Sequence, residues 1–354
     1  MSRKMPRANG TAIVLILTVC ILSGFMLAPV SNCTAQAETT LKLVTFQPAN
    51  FLLNHHLYAF IDRVNKRAAG KVKIEFVGGP EVVHPFENVK MVSKGAFDLA
   101  HNTPAYYAGL VPEVLSCYLV VDPYTPRREL DYNPLTKMRE IGYFKYMDEF
   151  HRKKAGITLL GPLWGGEDFA LYSTKPFDSV ASFKGSRIRF VPMFDGFIKG
   201  LDAKAVTLTN PETYTALQRG VVDAAPLPQG HLAFDTRLYE VTKYIIYPPI
   251  PYLGQTWLVA NAKKWDSLPE DVRKLIKNVL IEMEPELVEF SLSNSEKYTK
   301  KLQDEGMKIV TLKQSDHDQY FRIAIDRQWD SIYEKCPESG PKLREMLKVL
   351  NKFD

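Results

Sequence analysis

Cysteine is scarce in this chain: four occur in 354 residues, at positions 20, 33, 117 and 336. None has a spacing that would build a tetrahedral metal site. His55-His56 are adjacent, and on a helix adjacent side chains point in different directions, so they make a poor metal pair. The signatures of several enzyme classes are also missing. There is no Gly-x-Ser-x-Gly elbow and no His-Glu-x-x-His pair, which excludes the common serine-hydrolase and zinc-hydrolase layouts. Gly78-Gly79-Pro80 is followed by no Gly-Lys-Ser/Thr, so it is not a phosphate loop. No metal or cofactor is called for. Low-complexity segments and linkers rich in Gly or Ser are absent as well, which excludes domains strung like beads.

A strong charge of one sign is lacking too. The first residues carry Arg3, Lys4 and Arg7, followed by an apolar run from Ala12 to Ala28 and then Ala35-Gln36-Ala37. This order of basic region, hydrophobic region and small-x-small site predicts a secretory signal spanning residues 1–37, cleaved near Ala37. The alternative is a single membrane anchor, since the apolar run is nearly long enough to span a bilayer. Neither Cys20 nor Cys33 follows the Leu-Ala-Gly lead of a lipid attachment site. Removing residues 1–37 leaves 42 basic against 40 acidic residues. The mature chain is therefore close to neutral, and without a clustered basic face no nucleic acid is expected as a partner. Cys117 and Cys336 remain; they either pair, as exported cysteines can, or stay as buried thiols.

A mature length near 317 residues exceeds what usually packs around one core, so two lobes are expected. The hydrophobic pattern is α/β. Leu41 to Phe46 reads as a strand, His55 to Ala69 as an amphipathic helix closed by Gly70, and Val72, Ile74 and Phe76 as a second strand. Val89 to Ser93 is a short helix stopped by Gly95, before a third extended segment at Asp98-Leu99-Ala100. Ile157 to Leu163 reads as a strand crossing to the second lobe, and Trp164-Gly165-Gly166 follows it as a cleft floor. Leu171-Tyr172-Ser173 continues as strand. Tyr244 to Tyr247 is a strand closed by Pro248-Pro249, and Leu253 to Ala260 returns to the first lobe with Gln255 and Trp257 on one face. Ser267-Leu268-Pro269-Glu270 starts a long helix that Pro285 should kink. Ser291 to Asp304 and Asp316 to Tyr333 read as further helices.

The most informative stretch runs from Ser186 to Pro228. Arg187, Ile188, Arg189 and Phe190 alternate as a half-buried strand, read as sending one arginine to each face. Asn210-Pro211-Glu212 reads as a capped helix start, and that helix stops at Gly220. The segment from Arg219 to Ala225 has the same order as that from Lys94 to Ala100: basic residue, glycine, two spacers, aspartate. One α/β design used twice implies two similar lobes facing each other across a cleft.

The motifs Lys184-Gly185, Ile188-Arg189, Leu201-Asp202-Ala203, Ala205-Val206, Tyr214-Thr215-Ala216-Leu217-Gln218 and Gly220-Val221-Val222-Asp223 occur in one order that resembles the extracytoplasmic solute-binding proteins of TRAP transporters. The likeness extends from about residue 40 to the C-terminus. It implies a two-lobed periplasmic binding protein fold, each lobe a mixed sheet flanked by helices, with a long helix bridging them. Lobe I would comprise 38–163 plus about 253–284, and lobe II 164–252 plus about 285–354. It also implies a small organic acid as ligand and TRAP membrane permease subunits as partners.

From the residues alone, Arg189 either pairs structurally with Asp223 or offers its planar fork to a ligand carboxylate; the resemblance favours the ligand. Around it, Tyr106, Trp164, Phe169, Phe194, Leu227, Gln255, Trp257 and Glu167 are the expected pocket residues. Two departures from the family pattern remove polar partners. Ala224-Ala225-Pro226-Leu227-Pro228 replaces a Gly-Gln-Glu-Asn-Pro run, and Glu167-Asp168-Phe169 stands where a second arginine is common. The expected ligand is therefore a monocarboxylate with an apolar or aromatic tail. The competing reading is an exported hydrolase or lyase using Glu167 or Asp168 with a histidine.

Overall fold

The computed structural model describes residues 38–228 and 230–350; the expected signal segment, with Cys20 and Cys33, lies outside them. Eleven strands among the described residues form two sheets. The first contains β1 (Thr39–Thr45), β2 (Val72–Gly78), β3 (Leu99–Asn102), β4 (Ile157–Gly165) and β10 (Gln255–Asn261), in the order β2-β1-β3-β10-β4. The second contains β5 (Phe169–Ser173), β6 (Arg187–Phe190), β7 (Lys204–Thr207), β8 (Ala224–Pro228), β9 (Tyr244–Ile250) and β11 (Lys308–Thr311), in the order β11-β9-β5-β8-β6-β7.

Setting β11 aside, the two orders map onto each other as β2-β1-β3-β10-β4 onto β7-β6-β8-β5-β9. The directions agree as well: β1 is parallel to β2 and β3, as β6 is to β7 and β8, and β10 is antiparallel to β3 and β4, as β5 is to β8 and β9. The repeated glycine stop shows how the design works. Gly95 and Gly220 take φ of +80° and +64°, a conformation other residues adopt only with strain. The amides of Ala96 and Val221 then reach back to Met91 O and Ala216 O, closing the helices Asn88–Ser93 and Thr213–Gln218 in the same way. The following aspartates tie down the neighbouring strand: Asp98 accepts from the Lys42 amide and Asp223 from the Arg187 amide, both at 2.8 Å.

The chain passes between sheets at Gly166-Glu167-Asp168 and again at Pro251 to Gly254. These crossovers lie side by side, with Gly166 N donating to Gly254 O at 3.2 Å and Gly254 N donating to Glu167 O at 2.7 Å. One helix, Glu270–Asp304, then runs unbroken through Pro285. At about 1.5 Å per residue it is about 50 Å long, enough to pack on β4 and the helix His55–Arg67 at one end and on the helix His231–Asp235 further along. Ser291 to Asp304 is thus not a separate helix. Its buried Leu287, Ser291, Ser295 and Leu302 continue one packed face.

Other expectations need correction. Residues two apart in a strand share a face, so Arg187 and Arg189 lie on the same side of β6. Burial separates them: Arg187 stands at the open start of the strand and Arg189 is buried at 2% exposure. Strand β9 does not end before Pro248-Pro249 but runs to Ile250. The prolines sit where the register slips, Leu171 facing Ile246 and Phe169 facing Ile250, a bulge in which missing amide donors are tolerated. The helix expected at Asn210 begins at Thr213, and the Asn210 side chain accepts from Arg189 rather than capping it. Cys117 and Cys336 are separate buried thiols. No helix among the described residues is long and apolar enough to cross a membrane.

Candidate functional site

The end of β6 delivers Arg189 into the interior. Its Nε donates to Leu208 O at 3.1 Å and Nη1 to Pro226 O at 3.1 Å. Nη2 donates to Asn210 Oδ1 at 2.7 Å and to Tyr106 Oη at 3.1 Å. Every one of these acceptors is neutral, and no carboxylate among the described residues pairs with this guanidinium. Burial lowers its pKa from the usual value, against the opposing pull of Tyr106 and Glu212. Asp223, the partner a structural arginine would need, is taken by Arg187 and Lys175, each at 3.0 Å. Arg189 is therefore a buried cation whose charge the protein leaves uncompensated, a costly arrangement.

Tyr106 joins the two sheets at this point. It follows β3 of the first sheet, yet its hydroxyl accepts from Arg189 on β6 and from the Asn210 amide at 2.9 Å. Beside this contact lies a cavity with about 440 Å³ of empty space, its open mouth included. Phe46, Leu53, Ala105, Trp164, Phe169, Val191, Met193 and Phe194 supply most of its wall, with Thr103, Asn210, Pro228, Gly254, Gln255 and Thr256. Arg189 is the one charged residue lining it among the described residues.

Of the residues expected at the pocket, the structure brings together Arg189, Tyr106, Trp164, Phe169, Phe194 and Gln255. Three lie behind the wall. Leu227 points away from the cavity while its strand neighbour Pro228 lines it. Trp257 sits beyond the bulge after Thr256 and donates through Nε1 to Gln255 Oε1 at 2.7 Å, and Gln255 Nε2 donates to Cys117 O at 2.6 Å. Glu167, 1% exposed, accepts from Trp164 Nε1 at 2.8 Å. Asp168 is bound by Arg127, whose Nη2 is 2.6 Å away. The histidine nearest Glu167 is His231, at 3.8 Å. Burial lowers the pKa of His231 to about 3 and pushes that of Glu167 well above the usual range. The Trp164 ring, on the cavity wall, has its centre 4.8 Å from that of His231, and neither Glu167 nor Asp168 lines the cavity.

Sequence reasoning missed Asn210, Thr103 and Thr256. Asn210 was assigned to capping. The two threonines carry no motif, although Thr256 lies next to Gln255 on an alternating strand.

Two matching lobes around a mostly apolar cavity with one buried cation have the architecture of a solute-binding receptor. The chain belongs to the DctP family, described as bacterial extracellular solute-binding protein, family 7, which matches residues 43–336. It is 28% identical over 279 residues to a solute-binding protein of Albidiferax ferrireducens, covering 76% of this chain and 78% of the relative. It is 23% identical over 303 residues to a monocarboxylate 2-oxoacid-binding periplasmic protein of Nostoc sp., covering 82% and 80%. Its fold matches the crystal structure of a TRAP periplasmic solute-binding protein of Desulfovibrio salexigens with bound orotic acid, with a TM-score of 0.78 at 19% identity over 88% of this chain and 97% of that one.

Proposed function

We propose that this protein is an exported receptor that captures a small organic acid by its carboxylate on Arg189 and delivers it to a TRAP-type membrane permease. The observation that carries this reading is the buried guanidinium without an acidic partner. A ligand carboxylate brings the missing charge and relieves that cost. Four of the five N–H groups are already bonded to protein oxygens, so the two-bond fork expected from an arginine is not free. One Nη1 proton and the Tyr106 hydroxyl proton have no protein acceptor among the described residues and form the clasp instead.

The ligand is a monocarboxylate, a 2-oxo or 2-hydroxy acid with an apolar or aromatic tail. A second carboxylate would meet Phe169, Trp164 and Phe194 rather than a cation, and an unpaired buried charge costs several kcal/mol. Arg127, which stands near the crossover, is already neutralised by Asp168. The Nostoc relative's monocarboxylate and the flat orotic acid of the Desulfovibrio structure are compatible in kind. The test is to incubate the mature protein with a metabolite library and analyse what stays bound. The same acid recovered unchanged supports a receptor; turnover of any compound refutes it.

A further inference from the structure

A chain of buried hydrogen bonds begins at a peptide oxygen outside the cavity and ends on its wall. Asn54 Nδ2 donates to Pro48 O at 2.8 Å. A carbonyl only accepts, so this contact fixes the amide and turns Asn54 Oδ1 toward Thr45. The Thr45 hydroxyl donates to that oxygen at 3.0 Å. With its one proton spent, Thr45 Oγ must accept from His101 Nδ1, also at 3.0 Å. That places the ring proton on Nδ1 and leaves Nε2 as an acceptor. The remaining contact, His101 Nε2 to Thr256 Oγ at 2.7 Å, then takes the proton of Thr256. Reversing any link would set two lone pairs, or two protons, face to face in a region where Asn54, Thr45, His101 and Thr256 are each at most 3% exposed, where an unmade hydrogen bond is most expensive. Burial holds the pKa of His101 down to about 3, so the ring is neutral at physiological pH.

We propose that Thr256 is a fixed hydrogen-bond acceptor on the cavity wall, and that the ligand therefore carries a donor, a hydroxyl or an N–H, beside its carboxylate. This rests on the carboxylate reading of Arg189 and narrows it: between acids of the same tail, the 2-hydroxy acid is selected over the 2-oxo acid. A ketone oxygen held against Thr256 Oγ would oppose two acceptors and strand both without a partner. A site built around a polar partner discriminates strongly against a ligand that lacks it.

Calorimetry with mandelate against phenylglyoxylate, and with 2-hydroxyisocaproate against 2-oxoisocaproate, reads the preference directly. The native protein should bind the hydroxy acid of a pair at least about tenfold more tightly. Thr256→Val should bring the ratio close to one, and Thr256→Ser should restore it. Equal or tighter binding of the oxo acid, or a preference that survives Thr256→Val, overturns the assignment while leaving the carboxylate reading intact. No binding of any acid removes the carboxylate reading and this assignment with it. A long-range ¹⁵N–¹H spectrum of the native protein tests the relay without a ligand or a variant. His101 should be the neutral form protonated on Nδ1; protonation on Nε2 or on both nitrogens at pH 7 overturns the relay.

Discussion

Removing one oxygen atom from Tyr106 should weaken ligand binding far more than it weakens the fold. In Tyr106→Phe, the Arg189 Nη2–H and the Asn210 amide lose the acceptor they share, at 3.1 and 2.9 Å. A buried donor left without a partner costs roughly 1–3 kcal/mol. Because Tyr106 follows a strand of one sheet and its two donors belong to the other, these groups are stranded only when the lobes are closed. In an open cleft water satisfies them. With two donors stranded and the Tyr106 hydroxyl proton lost from the ligand's clasp, the loss falls on the closed, ligand-holding state and should be at least about 2 kcal/mol, a reduction in affinity of roughly 30-fold or more. Titration calorimetry with the identified ligand measures it, and a melt of the unliganded protein provides the control. Affinity within twofold of native would refute both the cross-lobe contact and the reasoning from it.

Three further outcomes follow from the same geometry. Burial pushes the Glu167 carboxyl well above the usual carboxylate range, so the native protein loses stability as pH rises above the unfolded carboxyl value of about 4. Glu167→Gln keeps the acceptor for Trp164 and should gain a melting-temperature advantage that widens from pH 4 to pH 8; a difference constant with pH would contradict this. Asp223 behaves in the opposite sense. Although burial opposes its ionisation, Arg187 and Lys175 hold it well below the usual carboxylate range, so its stabilisation is complete above about pH 4 and drains below it. Asp223→Asn should accordingly be destabilised near neutrality and approach the native protein in acid, as followed by circular dichroism. The paired crossovers at Gly166 and Gly254 should act as the hinge, and small-angle scattering should give a smaller radius with ligand. An unchanged profile at saturation would count against it.

The repeated lobe could be read in the sequence because its stops are chemical: a helix cannot close as Asn88–Ser93 and Thr213–Gln218 do without a residue at ease in positive φ, and each glycine stands a fixed distance before a strand-tying aspartate. Arg189 was legible only in part: the residues alone left open a structural pair with Asp223, and the resemblance to the family favoured the ligand. The rest of the pocket depends on which side of a strand faces the other lobe. Local alternation does not decide that across a bulge, so Gln255 lines the cavity while Trp257 sits behind it. Asn210 looked like a helix cap because asparagine before proline and glutamate usually is one; its oxygen instead meets Arg189, a partner 21 residues away. Glu167 and Asp168 carried the competing enzyme reading, and no motif marked the partners that occupy them, Trp164 and Arg127.

The most direct measurement of the central claim is calorimetry of native and Arg189→Ala proteins with succinate and with a panel of monocarboxylates bearing apolar and aromatic tails. The native protein should bind a monocarboxylate tightly and succinate weakly or not at all. The variant should still melt cooperatively while losing at least roughly 2–3 kcal/mol of binding, the scale of a charge-assisted pair. Tight binding of succinate, or native affinity in the Arg189→Ala protein, would contradict the account.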